Sequence, residues 1–212
     1  MKAKIVVCSV MTLALALTSP GALADQPSEP YFGIGLGVSF ARDPLWQGQV
    51  DSPFDQAAMR AGRSPGQAYP EPTKRAGSAR VFAGVWRGWV GVEAGYTLFG
   101  TMKADTDREG GHGTATMTAS SVDLSLMARH QPSGVFARMG VQRARVEVES
   151  HLWLAGGEEK IGRHRVASTG PVFGLGWEGD GWRVEWIRHS GVGLTDVTGK
   201  HEVDTLILSV KF

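Results

Sequence analysis

Between Tyr31 and Arg42 large and very small residues alternate without a break: Phe32, Ile34, Leu36, Val38 and Phe40 hold one parity, Gly33, Gly35, Gly37 and Ser39 the other. A period of two is the signature of a strand with one apolar face. Alternation of this kind recurs to the last residue, through Leu206-Ile207-Leu208-Ser209-Val210-Lys211-Phe212. Beyond the amino terminus no apolar run reaches the ~20 residues that a helical span needs. A chain of this pattern crosses a membrane, if at all, with strands that each have a lipid face and a lumen face.

Residues 43–77 lose the alternation and carry Pro44, Pro53, Pro65, Pro70 and Pro72, which predicts one long loop. From Ser78 onward the segments come in pairs around short turns. Ala79–Trp86 and Trp89–Phe99 flank Arg87-Gly88; Thr116–Arg129 and Val135–Gln142 flank Gln131-Pro132-Ser133-Gly134; Ser168–Trp177 and Trp182–His189 flank Gly179-Asp180-Gly181. The pairs are separated by polar stretches at 100–114, 149–166 and 190–201. With the first strand and the last, Val203–Phe212, this predicts an all-β, eight-stranded antiparallel transmembrane β-barrel with short periplasmic turns and longer extracellular loops. A soluble eight-stranded barrel of the lipocalin type is the alternative.

The parity of each segment says what faces the lumen. Gly91, Glu93, Gly95 and Thr97 oppose the apolar Val90, Val92, Ala94, Tyr96 and Leu98; Asp123 and Arg129, Arg138 and Gln142, and Arg183, Glu185 and His189 fall inside in the same way. Lys211 joins them from the last strand. Strand 2 is ambiguous, because Arg80 shares a face with Phe82 and Trp86. An interior holding Glu93, Asp123 and Glu185 with Arg129, Arg138, Arg183 and Lys211 must pair its charges or wet them, whereas a soluble binding barrel lines its interior with apolar groups. Trp86, Trp89, Trp177 and Trp182 stand beside the short turns with Phe212, where an aromatic girdle is expected.

At the amino terminus Lys2 and Lys4 precede an apolar run, Ile5–Leu17, and Ala22-Leu23-Ala24 has the small-x-small form of a cleavage site, so residues 1–24 are expected to be a signal peptide and 25–212 the barrel. Without them the only cysteine, Cys8, is gone, which excludes a disulfide scaffold. Without Lys2 and Lys4 the 22 basic side chains fall to 20 against 21 acidic ones, a net charge of about −1 that argues against nucleic acid as partner.

Three segments carry a family resemblance. Gly91-Val92-Glu93-Ala94-Gly95-Tyr96-Thr97-Leu98-Phe99-Gly100 resembles the third strand of OmpA-like outer-membrane β-barrel domains, Arg183-Val184-Glu185-Trp186 their seventh strand, and Val203-Asp204-Thr205-Leu206 to Phe212 their closing strand. The resemblance implies a discontinuous polar lumen in which Glu93 pairs with Arg183, interior ion pairs acting as plug or gate, and at most a small, slow conductance. It covers the barrel alone, without a peptidoglycan-binding domain after Phe212.

A lipid A deacylase is the enzymatic rival, with His189, Ser190 and Glu202 as its candidates. Adjacent strand residues point to opposite faces, so His189 and Ser190 do not share one site. His112, His151, His164 and His201 lack metal-ligand spacing, and neither metal nor cofactor is expected. Arg143 and Arg145, just past the apolar part of strand 5, are candidates for contact with lipopolysaccharide phosphates. Phe212 is the expected C-terminal signal to the barrel-assembly machinery. The overall expectation is a monomeric, non-enzymatic barrel of a Gram-negative outer membrane, with a structural or surface-interaction role and a mostly closed lumen. A small porin-like pore and binding through the 43–77 loop are the alternatives.

Overall fold

The computed structural model describes residues 26–41, 75–108, 111–154, 157–192 and 201–212. The expected signal peptide and most of the predicted first loop lie outside them. Eight strands follow in order: β1 (Ser28–Ala41), β2 (Arg75–Arg87), β3 (Val90–Arg108), β4 (Gly111–His130), β5 (Val135–Leu154), β6 (Gly157–Glu178), β7 (Trp182–Val192) and β8 (His201–Lys211). Each pairs antiparallel with the next, and β1 pairs with β8, so the sheet closes into a barrel. Closure satisfies the ladder hydrogen bonds that an open edge would leave bare.

The seam is fixed at its end by the Phe212 N–H donating to Phe32 O at 2.8 Å and the Phe32 N–H donating to Phe212 O at 3.2 Å, with the two rings stacked 5.0 Å apart. At the same end the chain turns tightly at Gly88-Trp89, Gln131–Gly134 and Gly179–Gly181. Gly88, Gly134 and Gly181 have φ of 62°, 71° and 73°, a left-handed backbone that glycine adopts without cost.

The opposite end differs from expectation. The polar stretches 100–114 and 149–166 are not loops: β3 runs to Arg108 before β4 starts at Gly111, and β5 runs to Leu154 before β6 starts at Gly157. Likewise β2 begins at Arg75, so residues 75–77 of the predicted first loop belong to a strand. The extensions lack apolar alternation because a ladder outside hydrocarbon needs only its hydrogen bonds and cross-strand pairs. β4, β5 and β6 have 20, 20 and 22 residues, about twice the ~9–11 that cross a bilayer. β7 and β8 have 11 each. Among the described residues β3–β6 therefore extend well beyond β1, β2, β7 and β8.

Period two sorts the faces as the sequence demands. Phe32, Ile34, Leu36, Val92, Leu124, Val141, Leu175 and Leu208 are exposed on the outer wall, while the alternate residues are buried inside. On β2 the outward parity is Val81, Ala83 and Val85, which sends Arg80, Phe82 and Trp86 inward together.

Candidate functional site

The interior is stacked in layers along the barrel axis. At the short-turn end Arg129 donates to Glu29 Oε2 at 2.6 Å and to Glu178 Oε1 at 3.4 Å, and Lys211 Nζ lies 3.5 Å from Glu178 Oε2. Arg129 and Lys211, expected in the lumen, thus sit at its partly exposed rim. Above them Tyr31, Phe82, Trp86, Met127 and Phe136 form an apolar cluster.

Arg183 passes through that cluster, its guanidinium 4.7 Å from the ring centroids of both Phe82 and Phe136. Its Nη1 donates to Glu93 Oε2 and its Nη2 to Glu178 Oε2 at 3.0 Å. Stacking between rings holds a planar cation without stripping it of all favourable contacts.

Glu93, on β3, is the hub of the next layer. Besides Arg183 it accepts from Tyr31 Oη at 2.9 Å, Arg138 Nη1 at 2.9 Å and Arg80 Nη2 at 3.2 Å. Arg80 grips Asp123 with both terminal nitrogens, at 2.6 and 3.0 Å, and donates to Thr97 Oγ1 at 2.7 Å. Arg138 donates to Asp123 Oδ1 at 2.5 Å, Ser125 Oγ at 2.9 Å and Glu185 Oε2 at 3.1 Å. Three guanidiniums thereby face the carboxylates of Glu93, Asp123 and Glu185, a balanced set with no exposed side-chain surface at Arg80, Arg138, Arg183, Glu93, Asp123 or Glu185. Mutual pairing of this quality is what offsets the large cost of burying ions.

Above the ions His189 Nδ1 lies 2.5 Å from Gln142 Oε1, and the His189 ring meets Phe99 edge to face at 4.8 Å. Beyond it lies a mainly apolar layer: Phe99, Met102, Met117, Ala119, Ala144, Val146, Val148, Val192 and Val203 are buried together with Ala41 and Ala76, with the hydroxyls of Ser78, Ser121 and Ser168 buried beside them. The sequence reading did not single out this layer: Met102 and Val192 stand inside the stretches 100–114 and 190–201 that read as polar, and Val146 and Val148 lie beyond the expected end of strand 5 at Gln142.

The sequence reading missed Arg80, Tyr31 and Glu29 as partners in the interior and at its rim; Glu178 fell on the lumen face of strand 6 by parity, but its pairing was not read. For Arg80 the signal was present: it shares parity with two aromatics, and the aromatics, not the arginine, depart from the apolar-outward rule. Trp86 is a correction for the same reason. It is 1 % exposed, stacked on Tyr31 at 6.3 Å and lying 4.7 Å from the Arg129 guanidinium, so it is a lumen residue and not part of an outer girdle. Trp89 is half-buried at its turn, while Trp177 and Trp182 are on the outer surface, edge to face at 5.5 Å. Arg143 and Arg145 are exposed on the outer wall of β5. His189 is buried and engaged by Gln142, while Ser190 has the opposite parity on β7. Among the described residues no group of three His, Cys, Asp or Glu could hold a metal.

Comparison with known proteins gives one family and a set of solved barrels. The chain matches the family described as OmpA-like transmembrane domain over residues 25–182. No curated protein matches it in sequence. Among solved structures it resembles Ail, the attachment invasion locus protein of Yersinia pestis, crystallised with the heparin analogue sucrose octasulfate (9% identity, TM-score 0.47, covering 87% of this chain and 99% of that one). It also resembles Neisserial surface protein A (12%, 0.45, 88% and 98%) and the N-terminal β-barrel domain of Pseudomonas aeruginosa OprF (10%, 0.38, 88% and 100%).

Proposed function

Because this chain belongs to the OmpA-like transmembrane domain family of outer-membrane barrels, we propose that it is a non-enzymatic membrane barrel whose lumen is closed to solutes and whose role is structural or one of surface interaction. The observation that carries this reading is the filling of the lumen by two stacked layers of opposite chemistry. An eight-stranded barrel has room for its own side chains or at most one small ligand. A hydrated ion that displaced the Glu93 network would still meet Phe99, Met102 and Val146, where few groups could replace its water. The ion pairs alone would be a gate; with an apolar layer in series they are a core.

The same reading orients the molecule. The short turns and the seam at Phe212 face the periplasm, Trp177 and Trp182 anchor that interface, and the long β3–β6 wall rises outside the cell. Phe212 then presents the terminal strand to the barrel-assembly machinery. Catalysis of the deacylase kind lacks its geometry, since the His189 ring is buried against Phe99 and Gln142 with Ser190 turned the other way.

Planar-bilayer recording tests the reading. The wild type and Glu93→Ala are both expected to remain silent, and only a variant that also thins the apolar layer, Glu93→Ala with Met102→Gly and Val146→Gly, is expected to conduct. Steady single-channel current from the wild type would favour a small-solute pore instead.

A further inference from the structure

Resting on the assignment of the apolar outer wall to lipid, we propose that Arg143 and Arg145 on β5 form a binding site for the phosphates of lipopolysaccharide in the outer leaflet. Three observations converge on this patch.

The first is height. β5 starts at Val135 beside a short turn, so the eight to ten residues to Arg143 and Arg145, at ~3.3 Å each and a tilt of ~40°, climb roughly 20–25 Å along the barrel axis. That is the height of the apolar band of an outer-membrane barrel, which puts both guanidiniums where hydrocarbon gives way to headgroups.

The second is what surrounds them. Arg143 lies opposite Val122 on β4 and Thr169 on β6, and Arg145 opposite Ser120 and Ala167. Below them the wall is Val141, Val122 and Leu124, each more than half exposed. Together they line one open depression on the outer surface, with an aliphatic floor for an acyl chain and hydroxyls beside the cations.

The third is charge. The outward arginines on β6 and β7 have acids: Arg163 and Arg165 both pair with Glu147, the latter at 3.0 Å, and Arg188 donates to Asp204 at 2.9 Å. Arg143 and Arg145 make no ion pair with any described residue. Two guanidiniums two positions apart on one exposed face suit a phosphate, which would supply the anion that the described residues do not.

The test measures affinity of the detergent-folded protein for bis-phosphorylated lipid A, for dephosphorylated lipid A and for inorganic phosphate. The wild type is expected to prefer the bis-phosphorylated probe, and Arg143→Ala/Arg145→Ala to lose on the order of tenfold in that affinity while binding the dephosphorylated probe as the wild type does. Arg75→Ala, an outward arginine on β2, is the control and is expected to match the wild type. Unchanged affinity in the double variant, no preference for the phosphorylated probe, or equally tight binding of inorganic phosphate alone would each overturn the site. Unaltered heat-modifiable migration of the double variant shows that it has folded. The conductance measurement does not depend on this outcome, so either reading can fail while the other stands.

Discussion

Glu93 and Arg183 are 90 positions apart in the chain and form a fully buried ion pair across the lumen, between β3 and β7. Tyr31, Arg80 and Arg138 complete the shell of the same carboxylate. The pair therefore belongs to a network, and its loss should be felt as uncompensated charge.

Glu93→Gln leaves Arg183 and its neighbours with excess positive charge in a sealed interior. The expected cost is about 3–5 kcal/mol of unfolding free energy. The double variant Glu93→Gln/Arg183→Met should cost less than the sum of the two single changes, because it removes cation and anion together. Urea unfolding in lipid vesicles measures both. Equal additivity would show that the two side chains act independently.

Gly95 lies inward on β3 against the Arg80 guanidinium, and a Cβ there would overlap it. Arg80 cannot swing aside without releasing Asp123. Gly95→Ala is therefore expected to destabilise by roughly 1–3 kcal/mol. Gly77→Ala meets open space and should stay within about 0.5 kcal/mol of the wild type. The same unfolding assay compares them.

The tryptophans on the two sides of the wall should report their surroundings separately. In vesicles with brominated acyl chains, single-tryptophan variants that keep Trp177 or Trp182 are expected to be quenched. One that keeps Trp86 should be quenched far less, since that ring lies inside the barrel. Quenching of Trp86 to the level of Trp177 would place β2 in the opposite facing.

Phe212→Ala removes the ring stacked on Phe32 but leaves the backbone ladder of the seam. An aromatic pair of this kind adds about 0.5–1.5 kcal/mol beyond the area it covers. A loss of that size is expected, with slower closure into the heat-modifiable form when the denatured protein is diluted into detergent.

Much of this architecture was legible in the sequence because period two is dictated by having lipid on one side and packed side chains on the other. The facings of Phe32 to Phe40, of Glu93 and Gly95, and of Asp123 and Arg138 all follow from it. It fails where both faces carry bulky apolar groups. On β2 Val81 and Val85 compete with Phe82 and Trp86 for the lipid side, and no local rule decides between them. It fails again beyond the bilayer, where β3–β6 continue as polar strands held by ladder hydrogen bonds and the Met102–Val148 layer hides among charged neighbours. The partners of Glu93 beyond Arg183 depend on which residues share one level around the barrel. That is a matter of register between strands, and composition does not carry it.

Labelling of a buried lumen cysteine tests the closed interior most directly. Ser121 is 1 % exposed and inward on β4, between the ionic and apolar layers, and Ser121→Cys in a Cys8→Ser background changes little but the reactive atom. In sealed vesicles an impermeant maleimide added to both sides is predicted to leave Cys at 121 unmodified while modifying a Ser133→Cys control in the exposed turn. Labelling at 121 as fast as at 133 would mean that water and solutes reach the centre of the barrel, and would contradict the account.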